Sequence, residues 1–289
     1  MKILNQELQT RLPSAITGHL IPAKTDYMLE NPYIDCILDS INNNENVLLI
    51  GEPGCGKSAL VLHLAAELGI PLVQIQGDGE CSVTDLIGGF QFNNGETKWI
   101  DGLIPFALNN YCWILFDEIN MVLPEILSRL HSMLDNRRML DLHEIGKSIV
   151  VSRETIIFGT MNESESGRHA GTKPLSPALR SRMHSKVKFS YLTPSSEIKL
   201  LTQRTGINIK DASLLVRLAN QIRDAWRKGE VNDPIDTRAL LACAYKINRG
   251  FKVEHAIYPT ILNDLSEDTA QAAKGLLISY GVIKPEEKK

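Results

Sequence analysis

The chain of 289 residues carries 31 basic and 34 acidic side chains, a formal net charge of −3, with 43 % hydrophobic and 22 % charged residues. This is ordinary globular composition at a length suited to about two domains, and its slight acidity argues against a protein that mainly coats duplex DNA, while leaving room for a local basic groove. Met1-Lys2 leads into Asn5, Gln6 and Glu7 without an apolar core, the apolar runs are too short to span a bilayer, and five scattered cysteines show no C-x-x-C pair, so no signal peptide, membrane span or zinc site is expected and a reduced, cytoplasmic setting is.

In chain order, residues 1–45 are polar and mixed, with one helix predicted from Tyr33 to Asn42 and turn chemistry in Asn43-Asn44-Glu45-Asn46. Val47–Ile50 is a wholly apolar run, as a parallel strand covered on both faces should be. Helical periodicity over Ala59–Leu68 stops at Gly69, and Pro71–Ile75, Trp113–Phe116 and Thr155–Gly159 read as three more buried strands, with a helix at Leu123–Leu134. Strands alternating with helices predict a parallel α/β sheet.

Beyond residue 192 the pattern turns helical. Pro194-Ser195-Ser196-Glu197 starts a helix, and segments at Ser196–Thr205, Ala212–Arg227, Thr237–Arg249, Val253–Tyr258 and Thr269–Tyr280 follow. The expected organisation is an α/β nucleotide-binding domain over 1–192 and a small helical domain over 193–289, ending in a frayed Pro285–Lys289 tail.

Gly51-Glu52-Pro53-Gly54-Cys55-Gly56-Lys57-Ser58 fits G-x-x-x-x-G-K-[ST] at every fixed position, after an apolar strand and at the opening of a helix that continues with Ala59. Gly51, Gly54 and Gly56 let the backbone curl its N–H groups around phosphate oxygens, and the helix N-terminus adds partial positive charge. Lys57 is placed to reach the β- and γ-phosphates and Ser58 to ligate Mg²⁺. The bland alternative is a glycine-rich turn with a solvated lysine.

Trp113-Ile114-Leu115-Phe116 delivers Asp117 and Glu118 at a strand's C-terminal end, where open α/β sheets bind ligands. Asp117 suits the Mg²⁺ water shell and Glu118 a general base that polarises the attacking water. The Thr155–Gly159 strand leads into Thr160-Met161-Asn162, and Asn162 is either a partner of the lytic water or γ-phosphate or a turn residue. Leu175–Met183 is a short basic helix in which neither Arg180 nor Arg182 has an acidic partner at i±4, and Asp236-Thr237-Arg238 opens a later helix. For each arginine the plain reading is a surface cation.

Taken together, phosphate loop, Asp-Glu strand, Asn-terminated strand, Leu-x-x-Ala-Leu-x-x-Arg and a helical lid with Arg238 resemble the AAA+ ATPases. Finer features resemble the MoxR branch and, within it, the group typified by CbbQ, NorQ and CobS. Ser82–Gly89 with Gly95–Ile104 is similar to that group's insert in the second helix, and Asp117-Glu118-Ile119-Asn120 to its signature. Asn136–Leu140 with Lys147–Val151 resembles its hairpin before the sensor strand, and Thr237–Leu241 its sensor 2 helix. The resemblance spans about Ile21 to Ala272.

It implies ATP and Mg²⁺ as cofactors, contacts to nucleotide along Gly51–Ala59, Asn162 as sensor 1 and Arg238 as sensor 2. It also implies Arg182 as an arginine finger acting in a neighbouring protomer's site. Arg180 is then a second trans contact, a structural ion pair or itself the finger. Met183 stands where phenylalanine is common. A finger implies a homo-oligomeric ring, a hexamer by resemblance, that remodels a client or works with a separate adaptor bearing a von Willebrand factor A domain. The hairpins around Phe90–Trp99 and Leu140–Val150 would touch that client or merely decorate the sheet edge, with Trp99 packed against its own hairpin. A nucleic-acid motor is the alternative. It would draw on Arg137, Arg138 and Lys147, whereas the insert offers only Lys98 among Asp85, Glu96 and Asp101. A small-molecule kinase with the same loop is a third reading.

Overall fold

The structure is a computed structural model that describes residues 16–28, 32–77, 81–93, 95–162 and 174–284; the expected frayed tail lies outside these. The described chain divides into two compact units, Met1–Gly51 with Lys57–Phe189, and Glu52–Gly56 with Ser190–Lys289.

The first unit is a parallel α/β sheet with additions. In chain order it contains α1 (Ile34–Asn42), β1 (Val47–Gly51), α2 (Lys57–Leu68), β2 (Leu72–Gln76), α3 (Val83–Leu86), β3 (Gly88–Asn93), β4 (Glu96–Asp101), α4 (Leu103–Asn109) and β5 (Trp113–Asp117). There follow α5 (Pro124–Leu134), β6 (Met139–Leu142), β7 (Lys147–Val150), β8 (Ile157–Met161), α6 (Pro177–Ser181) and β9 (Ser185–Phe189). The strand order is β2-β5-β8-β1-β9, all parallel. Each residue of β1 and β8 is buried, which is why β1 reads as an unbroken apolar run and β8 as one interrupted only by Thr160, rather than as alternating strands.

Two strands differ from the sequence expectation. Strand β8 runs Ile157–Met161 rather than Thr155–Gly159, because its pairing with β1 starts at Phe158 opposite Val47 and extends to Met161 opposite Ile50. The fifth strand, β9, was not predicted at all. Ser185-Lys186-Val187-Lys188-Phe189 alternates polar with apolar residues, as suits an edge strand with one covered face.

Two antiparallel hairpins leave the sheet. In β3–β4, Phe90 pairs with Trp99, and their rings meet edge-on at 5.4 Å. Trp99 also donates Nε1–H to Asp101 at 2.8 Å and packs on the core of the first unit, as expected for a tryptophan serving its own hairpin. In β6–β7, Met139 pairs with Val150. Arg138 anchors the base of this hairpin, its guanidinium donating to the backbone carbonyls of Asn44, Val151, Ser152 and Thr155 at 2.9–3.3 Å. Burial and the nearby Arg153 lower its pKa from the usual arginine range.

The second unit is helical: α7 (Pro194–Thr205), α8 (Ile209–Lys228), α9 (Thr237–Asn248), α10 (Val253–Thr260) and α11 (Glu267–Ser279). Thr193, Asn208 and Asp236 cap the first three helices by accepting backbone N–H bonds, with Pro194 at the first turn of α7 and Gly206 and Gly229 in left-handed conformation after α7 and α8. Its apolar core is built from residues such as Leu201, Leu215, Ile222, Leu240 and Leu277. Among the described residues no helix is long and apolar enough to cross a membrane.

Candidate active site

Strand β1 ends at Gly51, and α2 begins at Lys57. A Cβ at position 51 would lie 2.2 Å from the Phe189 carbonyl oxygen, so the close approach of β9 demands glycine there. The Lys57 side chain is buried and folds back to donate to Gly51 O at 3.0 Å and to Asn162 Oδ1 at 3.1 Å. Asn162 reaches Glu118 Oε1 with its amide nitrogen at 3.5 Å. The amide thus stands between the ammonium and the carboxylate, its oxygen toward the cation and its nitrogen toward the anion.

Ser58 donates to Asp117 Oδ1 at 2.7 Å. Thr160, fully buried on β8, donates to the same oxygen at 2.5 Å and accepts the Glu118 backbone N–H at 3.0 Å. Glu118 itself has φ +55°, a left-handed conformation uncommon outside glycine, and the Thr160 bond helps to hold it. On the neighbouring strand side, Gly77 donates its N–H to Asp117 O at 2.7 Å, and a Cβ on Gly77 would meet Glu118 O at 2.2 Å. The Asp-Glu pair is therefore held from both flanking strands.

The loop residues Glu52–Gly56 belong to the second unit, and Glu52, Pro53 and Gly54 have partners there. Arg227 forks onto both Glu52 oxygens at 2.8 and 3.0 Å, and this bond raises the arginine's pKa further. Tyr191 donates its hydroxyl to Pro53 O at 2.7 Å. Gly54 has φ +64°, and its missing Cβ is where Asp236 sits, Oδ2 only 2.3 Å from that position. Gly56 also takes a positive φ of 95°. Arg238 is exposed and ion-paired to Asp236 at 2.9 Å.

On α6, Ser176 caps the helix by accepting Leu179 N–H, and Pro177 opens it. Arg180 is exposed and makes no side-chain hydrogen bond or ion pair among the described residues. Arg182 is more enclosed: Nη1 donates to Ala178 O at 2.7 Å, and Nε lies 3.8 Å from Asp135. Met183 is fully buried and its methyl group reaches toward Gly159, filling the apolar slot.

Residues 46–183 match the family profile described as AAA domain (dynein-related subfamily), and residues 197–277 match CbbQ/NirQ/NorQ C-terminal. Protein NorQ of Paracoccus denitrificans is 31 % identical over 235 residues, 81 % of this chain and 84 % of its own length. Putative chaperone BssE of Thauera aromatica is 30 % identical over 251 residues, 84 % of this chain and 85 % of its own. Protein CbbQ of Hydrogenophilus thermoluteolus is 25 % identical over 254 residues, 85 % and 93 % respectively.

The chain belongs to the CbbQ/NorQ family of MoxR-type AAA+ ATPases. Nucleotide binding comes with that family, and the fold matches its P-loop α/β core followed by a helical part. Within this CbbQ/NorQ-type framework, the first unit gathers Lys57, Ser58, Asp117, Glu118 and Asn162 into one hydrogen-bonded array. Thr160 and Gly77 in this array, and separately Tyr191 and Arg227 around Glu52 and Pro53 in the second unit, escaped the sequence reading. Thr160 lies one residue from the strand end, and only its partner 43 positions away gives it meaning.

The nucleic-acid alternative rests on Arg137, Arg138 and Lys147. Arg137 forks onto Asp135 at 2.9–3.2 Å, and Arg138 is committed to four carbonyls. The Arg138 charge thus serves the hairpin base, while Arg137 and Lys147 stay exposed.

Proposed function

We propose that this chain hydrolyses ATP as one protomer of a homo-oligomeric ring, a hexamer by family resemblance, and uses the hydrolysis to remodel a separate client or adaptor protein. The observation that carries this reading is the Lys57–Asn162–Glu118 array beside the Ser58–Asp117 pair. Lys57 offers the ammonium for the β- and γ-phosphates. Glu118 offers a carboxylate that accepts a proton from water, and Asn162 orients it. The Ser58 hydroxyl and Asp117 carboxylate are hard oxygen donors of the kind Mg²⁺ takes alongside substrate phosphates. Mg²⁺ bound there would neutralise charge on the transferring phosphoryl group.

The trans arginine comes from the pair at the end of α6, Arg180 within it and Arg182 just after it. Arg182 holds the slot before Met183, whereas Arg180 presents an exposed guanidinium. The relative BssE is named a putative chaperone, which supports the remodelling reading, and a von Willebrand factor A adaptor is the partner that the family resemblance suggests.

Steady-state ATPase activity against protein concentration tests the proposal, for the parent and for Glu118→Gln, Arg180→Ala and Arg182→Ala. Activity per subunit should rise with concentration. Glu118→Gln should abolish turnover, and one of the two arginine variants should poison mixed rings substoichiometrically. Turnover that is flat with concentration and indifferent to both arginines would sink the ring.

A further inference from the structure

We propose that Arg227 and Tyr191 are positioning residues of the phosphate loop, holding Glu52 and Pro53 so that the loop's N–H groups converge on an anion. The inference rests on the nucleotide-site reading above and adds residues to it.

A loop built on Gly51, Gly54 and Gly56 is costly to order, because glycine loses more backbone freedom than any other residue. Useful anion binding needs the opposite, a fixed set of N–H directions. Three successive loop residues each have one external anchor. Glu52 is forked by Arg227, the Pro53 carbonyl accepts from Tyr191, and Gly54 is packed against Asp236.

The anchors are themselves held. Arg227 has a second carboxylate, Asp224, at 3.0 Å. The Tyr191 ring lies under the Arg223 guanidinium, 3.7 Å from its centroid. Arg223 is fully buried and forks onto Glu197 at 2.7 and 2.9 Å, while also donating to Ile235 O. Glu197 in turn accepts the Thr237 hydroxyl at 2.7 Å, next to Arg238 and Asp236. A buried, fully bonded chain therefore backs the tyrosine that grips the loop.

Charge gives Arg227 a second task. Glu52 places a carboxylate one residue into a loop that must receive a polyphosphate, and an unpaired carboxylate there would repel it. The two-pronged guanidinium cancels that charge where it stands.

The test is ADP affinity, read by titration with a fluorescent ADP analogue, together with the melting midpoint of the nucleotide-free protein. Arg227→Met keeps the aliphatic stem and loses the ion pair; Tyr191→Phe loses one hydroxyl; Lys57→Ala is the control for the site itself. Each positioning variant should weaken ADP binding about five- to tenfold, the scale of one lost hydrogen bond to a functional group. The Arg227→Met loss should shrink between about 0.05 and 0.5 M salt, because it exposes a charge, and the Tyr191→Phe loss should not. If Lys57→Ala abolishes binding but either positioning variant binds within about twofold of the parent, that residue leaves the assignment. A salt-independent Arg227→Met loss with a lowered melting midpoint overturns it in favour of simple destabilisation. If Lys57→Ala binds like the parent, the nucleotide-site reading itself falls.

Discussion

Thr160 donates its hydroxyl hydrogen to Asp117 Oδ1 at 2.5 Å from the adjacent strand. The same oxygen accepts from Ser58, so one carboxylate oxygen joins the sheet to the first turn of the loop helix. Thr160→Val keeps the side-chain shape and removes both hydrogen bonds of the hydroxyl. The Glu118 N–H then lacks its acceptor, at a cost of about 1–3 kcal/mol. Denaturant titration should show that loss, and turnover should fall about tenfold or more while nucleotide still binds.

Glu118→Gln removes the proton acceptor but keeps an amide within reach of Asn162. Turnover should drop by about 10²-fold or more with ADP affinity nearly unchanged. An ATPase assay paired with nucleotide titration separates the two effects. Equal losses in both would assign Glu118 to binding rather than to proton transfer.

The Glu197–Arg223 pair is fully buried and doubly bonded. Removing one partner leaves the other charge stranded in the core of the second unit. Arg223→Met should cost about 3–5 kcal/mol, whereas Glu197→Leu with Arg223→Met should cost clearly less. Comparison of the two by chemical denaturation checks this.

Thiol reactivity should sort by burial. Burial pushes Cys112 and Cys243 up to about 11, so at pH 8 only about one thiol in a thousand is thiolate. Cys36 is exposed. Timed alkylation at pH 8 followed by peptide mapping should label Cys36 first and Cys112 and Cys243 last. Fast native labelling of Cys112 would show that α4 and β5 open locally.

His131 has its pKa lowered, first by burial and then by the positive charge of Arg182, against a smaller upward pull from Asp135. A histidine with a depressed folded pKa contributes stability that is fully present above its unfolded value of about 6.5. That contribution is lost as pH falls below 6.5 and through the lower folded value. Arg182→Ala should raise the His131 pKa and shrink this acid-side loss. An NMR titration of the imidazole in both proteins measures the shift.

Much of this architecture is legible in the residues. Val47–Ile50 and Trp113–Phe116 read as buried strands because they are apolar on both faces, and both are. The loop glycines, Lys57 and Ser58 are a local pattern, and no distant contact is needed to see it. Strand β9 was missed because Lys186 and Lys188 interrupt its apolar residues, leaving no unbroken run of the kind that marks β1 and β5. Contacts across the chain were out of reach for a different reason. Glu52 and Arg227 are 175 positions apart, and neither residue's neighbours hint at the other. Arg182 looked partnerless at helical spacing, yet its acid is Asp135, from another segment.

The apolar interior comes in two pieces that share no residue, one reaching from Leu48 to Met183 and the other from Leu201 to Leu277. Each piece should melt as its own cooperative block, so scanning calorimetry of the chain is expected to resolve two endotherms. The residues Glu52–Gly56 count with the second piece while Lys57 and Ser58 count with the first. A nucleotide bound at the Lys57, Ser58 and Asp117 array of the first unit would then raise the first transition, so that the shape of a melting curve, without any turnover, reports whether that array is occupied.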